Sequence, residues 1–162
     1  MKRESKEVEV RVLLHNIRST HNVGSIFRTA DAAGVSHIYI SGYTPSPLDQ
    51  FKRKRKDIAK VSLGAEDTVA WSEISYVKKL VATLKTEGFS VVALEQSDSS
   101  VDYKDVEIGE KILFVVGNEV KGMSKELLGL ADTVVEIPMK GEKESLNVSV
   151  AFGVALFRLL NI

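Results

Sequence analysis

Apolar and polar positions alternate along this chain in blocks that read as strands and helices by turns. Residues 8–14 (VEVRVLL) alternate and then become continuously apolar, which predicts a strand buried at its far end. A polar stretch, residues 15–22, follows. From Val23 the apolar positions Ile26, Phe27, Ala30 and Ala33 take helical spacing, and Gly34 supplies the stop. Residues 37–40 predict a short strand closed by Gly42, residues 72–86 a helix ended by Gly88, and residues 89–94 (FSVVAL) another strand. Residues 112–116 (ILFVV) and 133–137 (TVVEI) predict two more strands, with a short helix at 124–130 between them. Residues 58–67 fit neither period.

The last quarter is the most unusual. Beyond a polar loop containing Gly141, a helix is predicted from Leu146 with Ser145 as its N-cap. It has almost no polar side. A helix apolar all round needs cover on more than one face, and one sheet covers one face, so a second copy of the chain is the natural candidate for the other.

Strands alternating with helices predict an α/β domain with a mostly parallel sheet flanked by helices. Ligands of such sheets collect at the carboxyl ends of the strands. Four polar segments fall there, residues 15–22, 95–100, 117–122 and 139–147, and are expected to converge on one edge. With no repeat, linker or low-complexity tract, residues 1–162 read as one domain.

Composition narrows the class. At 162 residues, 44% apolar and 27% charged, the chain has the profile of a soluble globular protein. It has no cysteine, which removes disulfides and thiolate metal sites. The charged start MKRESKEVEV is unlike a signal peptide, and no apolar run is long enough to span a bilayer, so a cytoplasmic location is expected. Formal net charge is zero, against indiscriminate coating of nucleic acid, yet Lys52, Arg53, Lys54, Arg55 and Lys56 form a local basic run suited to phosphate-backbone contact.

Besides the loop before the last helix, two segments carry candidate chemistry. In NVGSIFRTADAAG (residues 22–34), Asn22 sits near a helix start and Arg28 lies amid apolar neighbours, either snorkelling to water or held to grip phosphate. GNEVKGMS (residues 117–124) places Glu119 and Lys121 on a tight loop directly after a buried strand. It is neither a P-loop nor a dinucleotide fingerprint. His15 and His21 read as loop residues, His37 as structural, Trp71 and Tyr76 as packing residues, and no metal-ligand spacing occurs.

Taken together, NVGSIFRTADAAG, ILFVVGNEVKGMS and IPMKGEKESLNVSVAFGVALF resemble the three ordered motifs of the SpoU (TrmH-type) family of RNA ribose 2′-O-methyltransferases, within the SPOUT class. KVSLGAEDTVAW, between the first two, is also similar to the family. The resemblance implies a C-terminal deep trefoil knot, an exception to the rule against threaded chains, and a homodimer. It implies S-adenosyl-L-methionine as cofactor, held around Leu94, Glu95, Gly117, Asn118, Ile137, Met139 and Leu146. Family roles in catalysis fall on Asn22, Arg28, Glu119, Ser145 and Asn147, with Arg28 the proposed activator of a tRNA or rRNA ribose hydroxyl and Lys52–Lys56 helping to bind RNA. Val120 stands where the family commonly has glycine. The RNA-binding extensions of many members are not seen, which implies recognition by the core or help from an auxiliary protein. The rival readings are a non-catalytic RNA-binding protein on the same scaffold and a base-modifying RNA methyltransferase.

Overall fold

A computed structural model describes residues 7–162; the charged start of the chain, residues 1–6, lies outside them. Among the described residues, seven strands form one sheet in which every pairing is parallel. They are β1 (Glu9–His15), β2 (His37–Ser41), β3 (Trp71–Glu73), β4 (Ser90–Leu94), β5 (Val101–Asp102), β6 (Lys111–Val116) and β7 (Thr133–Glu136), arranged in the order β3-β2-β1-β6-β4-β7-β5. The helices are α1 (Thr20–Ala33), α2 (Lys56–Ser62), α3 (Ala65–Thr68), α4 (Val77–Thr86), α5 (Lys125–Gly129) and α6 (Val148–Leu160).

Strand alternation sorts the core into two layers. Val10, Val12 and Leu14 of β1 join Ile112, Phe114 and Val116 of β6 under α1 and α6. Leu13, Leu113 and Val115, pointing the other way, pack with Val81 and Leu84 of α4 and Leu127 of α5. Both faces of the central strands are therefore buried, which explains why β6 reads as an unbroken apolar run.

Four boundaries differ from the sequence reading. Helix α1 begins at Thr20, because the Ser19 side chain accepts from the Asn22 N–H at 3.1 Å and caps it; Asn22 thus lies inside the first turn. The helix expected over residues 72–86 begins only at Val77, and Ser72 and Glu73 belong with Trp71 to the edge strand β3. Residues 58–67 are divided between two short helices, α2 and α3, separated by Leu63 and Gly64, both with left-handed backbone. Helix α6 starts at Val148, capped by Asn147 rather than Ser145: Asn147 Oδ1 accepts from the N–H groups of Ser149 (2.9 Å) and Val150 (3.4 Å).

Helices α1 and α2 approach closely at Gly24, where an added Cβ would stand 2.9 Å from the Ile58 carbonyl oxygen. Only a glycine admits that contact without displacing α2.

Candidate active site

The four polar segments do converge. All follow the carboxyl ends of strands, and one cleft receives loops from β4, β6 and β7 together with the start of α6. Leu94, Glu95, Gly117 and Asn118 line one side of it; Ile137, Met139, Ser145 and Leu146 line the other, with Val148 and Ala151 beyond. Every residue assigned by resemblance to the cofactor thus borders one space. Glu119, Gln96 and Glu136 complete the wall, so the lining carries three carboxylates and no lysine or arginine.

Each loop is tied to its neighbour. Gln96 Nε2 donates to the Glu144 carbonyl at 2.7 Å, linking the loop after β4 to the loop after β7. Glu95 Oε2 accepts from the Met123 N–H at 2.9 Å, fixing the far end of the loop after β6. Gly122, in left-handed backbone, lies where any Cβ would strike that carboxylate. Asn118 holds the near end, its Oδ1 accepting from the Val120 and Lys121 N–H groups (2.9 and 2.8 Å), its Nδ2 donating to the Asn16 carbonyl and the Tyr43 hydroxyl (3.0 and 2.9 Å). Val120 has ordinary backbone and points into solvent, so the loop does not need glycine there; Gly122 takes the left-handed position.

Beside the cleft, residues from all three motifs form one hydrogen-bonded chain. Asn147 Nδ2 donates to Asn22 Oδ1 at 3.1 Å, and Asn22 Nδ2 donates to Glu119 Oε2 at 3.2 Å. Asn22 is only 5% exposed. Glu119 also accepts from the N–H groups of Arg18 (2.8 Å) and Ser19 (3.0 Å), so its carboxylate sits against the N-terminus of α1. Burial pushes this carboxyl up, but the N–H donors, Arg18 and Ser19 foremost, outweigh it and hold it below the ordinary range.

Arg28 is not brought to the cleft. It is exposed on α1 and lines a separate groove with Asp31, Ser62, Leu63 and Gly64. His15 ends β1, its Nδ1 2.7 Å from Ser41 Oγ, and burial pushes its pKa down. His21 is exposed in the first turn of α1. His37 Nε2 meets Ser72 Oγ at 2.8 Å, a structural contact across the sheet edge. Trp71 packs on the core, whereas Tyr76, expected to pack, is exposed.

The basic run is not a uniform strip. Lys54 Nζ binds the buried carboxylate of Glu66 (3.1 Å) and Asp67 (2.7 Å), and Arg53 Nε binds Asp49 Oδ2 at 3.0 Å. Glu66 is itself bound by Ser62 Oγ and the Gly64 N–H. Lys52 and Lys56 are exposed, and Arg55 precedes α2. Sequence reasoning could not separate these roles, because Glu66 and Asp67 lie more than ten residues from Lys54 with no shared period.

A fully parallel sheet with one cleft at its carboxyl edge, walled by three crossing-strand loops, defines an α/β protein that binds a small ligand at that edge. The chain belongs to the SpoU rRNA Methylase family, whose profile matches residues 9–157. It is 32% identical over 154 residues to the tRNA (guanosine(18)-2′-O)-methyltransferase of Aquifex aeolicus, covering 95% of this chain and 70% of that one. The structure of an AdoMet-bound rRNA methyltransferase from Sinorhizobium meliloti superposes with a TM-score of 0.85 at 29% identity, over 97% of this chain and 57% of that one. The A. aeolicus TrmH/SpoU tRNA modifying enzyme superposes with a TM-score of 0.82 at 30% identity, over 98% and 77%. The chain spans between 57% and 70% of the length of the first curated relatives it matches.

Proposed function

We propose that this protein transfers a methyl group from S-adenosyl-L-methionine to a ribose 2′-hydroxyl of tRNA or rRNA, as a cytoplasmic homodimer with its C-terminal segment threaded as a deep trefoil knot. The observation that carries the cofactor is the charge of the cleft. Glu95, Glu119 and Glu136 with no basic side chain suit a cationic sulfonium ligand and oppose a phosphate-bearing nucleotide. Apolar Leu94, Ile137, Met139 and Leu146 suit an adenosyl group. The cofactor supplies a methyl group already activated by the positive charge on sulfur.

What remains for the chain is to position the hydroxyl and assist loss of its proton. Glu119 is a poor base, because its carboxyl is held below the ordinary range and its oxygens are engaged by three N–H donors. It is a positioning residue that, through Asn22 and Asn147, sets α1 against α6. Ser145 stands at the cleft mouth, exposed, where a substrate ribose would approach. Arg28, permanently charged, is suited to holding an RNA phosphate rather than to taking a proton.

What supports the dimer is α6. Phe152, Ala155 and Leu156 are buried, yet Val150 and Val154 are 51% and 41% exposed on the same helix. A second copy seated on this face covers them. Because Arg28 stands away from the cleft of its own chain, its part in the reaction is played at the cleft of that second copy.

The test is calorimetric titration with S-adenosylmethionine and S-adenosylhomocysteine. One saturable site per chain supports the reading; a folded dimer that binds neither, with and without bulk RNA, overturns it.

A further inference from the structure

A second cleft lies where the chain leaves β2, lined by Tyr43, Lys52, Arg55 and Trp71 among others. Three observations give it a purpose. The first is the tip of the loop. Asp49 Oδ1 accepts from the N–H groups of Phe51 (2.8 Å) and Arg53 (3.0 Å), while the Asp49 carbonyl accepts from the Lys52 N–H (2.9 Å). Leu48 bridges to Lys54, which is itself bound to Glu66 and Asp67. So many bonds make the tip stiff, and what it holds out is Phe51, 67% exposed, with the Arg53 guanidinium 4.9 Å above its ring centre. An aromatic face fixed in water gains nothing for folding, but it spares a flat partner the cost of ordering it.

The second observation is Arg55, whose Nε is buried without a hydrogen-bond partner among the described residues. A buried donor left unmade is costly, and the guanidinium that carries it lines the cleft, where an acceptor can meet it. Beside exposed Lys52, the acceptor that arginine geometry suits best is a phosphate. The third is Tyr43, whose hydroxyl accepts from Asn118 Nδ2 at 2.9 Å, while Asn118 lines the cofactor cleft. The two clefts therefore adjoin.

We propose that the loop between β2 and α2 is a subsite for single-stranded RNA, in which an unpaired base stacks on Phe51 and a phosphate binds Arg55 and Lys52. The strand then passes Tyr43 towards the cofactor cleft. The identity of the polymer as RNA rests on the methyltransferase reading; the stacking and phosphate contacts do not. The basic run is accordingly divided, with Lys54 bound inward to carboxylates and Lys52 and Arg55 left for the ligand.

The experiment measures binding of the full chain to a labelled single-stranded oligouridylate and to an RNA duplex of equal length, across a salt series. Phe51→Ala should weaken oligouridylate binding about fivefold or more, with duplex binding and the salt slope unchanged. Arg55→Gln should lower the slope of log affinity against log salt by about 0.7. Thermal unfolding reports the fold of each variant, and Phe51, at an exposed tip, can be removed without disturbing the core. Wild-type affinity and slope in both variants, or no RNA affinity in the wild type, overturns the subsite. RNA binding that depends on Phe51 in a chain that binds no S-adenosylhomocysteine sustains the subsite and defeats the methyltransferase reading instead.

Discussion

The cofactor cleft and the outer face of α1 are built in opposite ways. Beside the cleft a set of polar side chains is answered within the chain: Asn22 meets Glu119 and Asn147, Glu95 meets Met123, Asn118 meets Asn16 and Tyr43. On the outer face, six residues along the same helix, Arg28 is exposed in a groove beside Leu63, a residue in left-handed backbone. The contrast teaches that one side is preorganised within a single chain, and it supports the proposal that the other meets charge brought from outside. Buried networks reward full satisfaction, whereas a free arginine keeps its strongest bonds for an incoming phosphate.

The sharpest way to break this contrast is to charge the satisfied side. Asn22→Asp keeps the shape but sets a second carboxylate against Glu119, 3.2 Å from the present amide nitrogen. An unpaired buried charge of this kind costs about 3–5 kcal/mol, so denaturant unfolding should show a large loss at neutral pH, partly recovered in acid. Arg28→Ala works from the other side. Methyl transfer should fall at least about a hundredfold, while calorimetry finds S-adenosylhomocysteine affinity within a few-fold of wild type.

Gly24→Ala separates packing from chemistry. Forcing a Cβ against the Ile58 carbonyl should destabilise by about 1–3 kcal/mol and leave cofactor affinity unchanged, since neither α2 nor Gly24 borders the cleft. The smallest effect is that of pH. His15 is held neutral by burial and Glu119 is held ionised by its N–H donors, so both have lowered pKa values in the folded chain. The unfolded chain therefore binds more protons as pH falls. Stability should decline first below about pH 6.5, from His15 and His37, and again below about pH 4.3, from Glu119 together with the other carboxyls held low. Glu119→Gln should shrink the second decline, to which Asp49, Glu66 and Glu126 also contribute, and keep the first.

The same contrast explains what the sequence made legible. Long apolar runs such as those of β1 and β6 declare themselves, because both their faces are buried. The three-residue strand β3 and the helices α2 and α3, of seven and four residues, are too short for either period to register. Ser145 is the cap the sequence suggests for α6; Asn147 takes the place instead, and its amide also reaches Asn22, 125 positions away. Motif order identified the residues around the cleft, yet it could not reveal that Arg28 stands outside it, since helix phase alone does not say which neighbours an exposed side chain meets. Nor could it divide Lys52–Lys56, whose inward and outward members are distinguished only by carboxylates folded in from α3.

The central claim is that the cleft directs methyl transfer to a ribose hydroxyl. Its most direct test is mass analysis of nucleosides from RNA incubated with the purified protein and methyl-labelled S-adenosylmethionine. Label confined to a 2′-O-methyl nucleoside, and lost with Arg28→Ala, is the predicted result. Label on a base, or none on any nucleoside from a dimer shown to bind the cofactor, would contradict it.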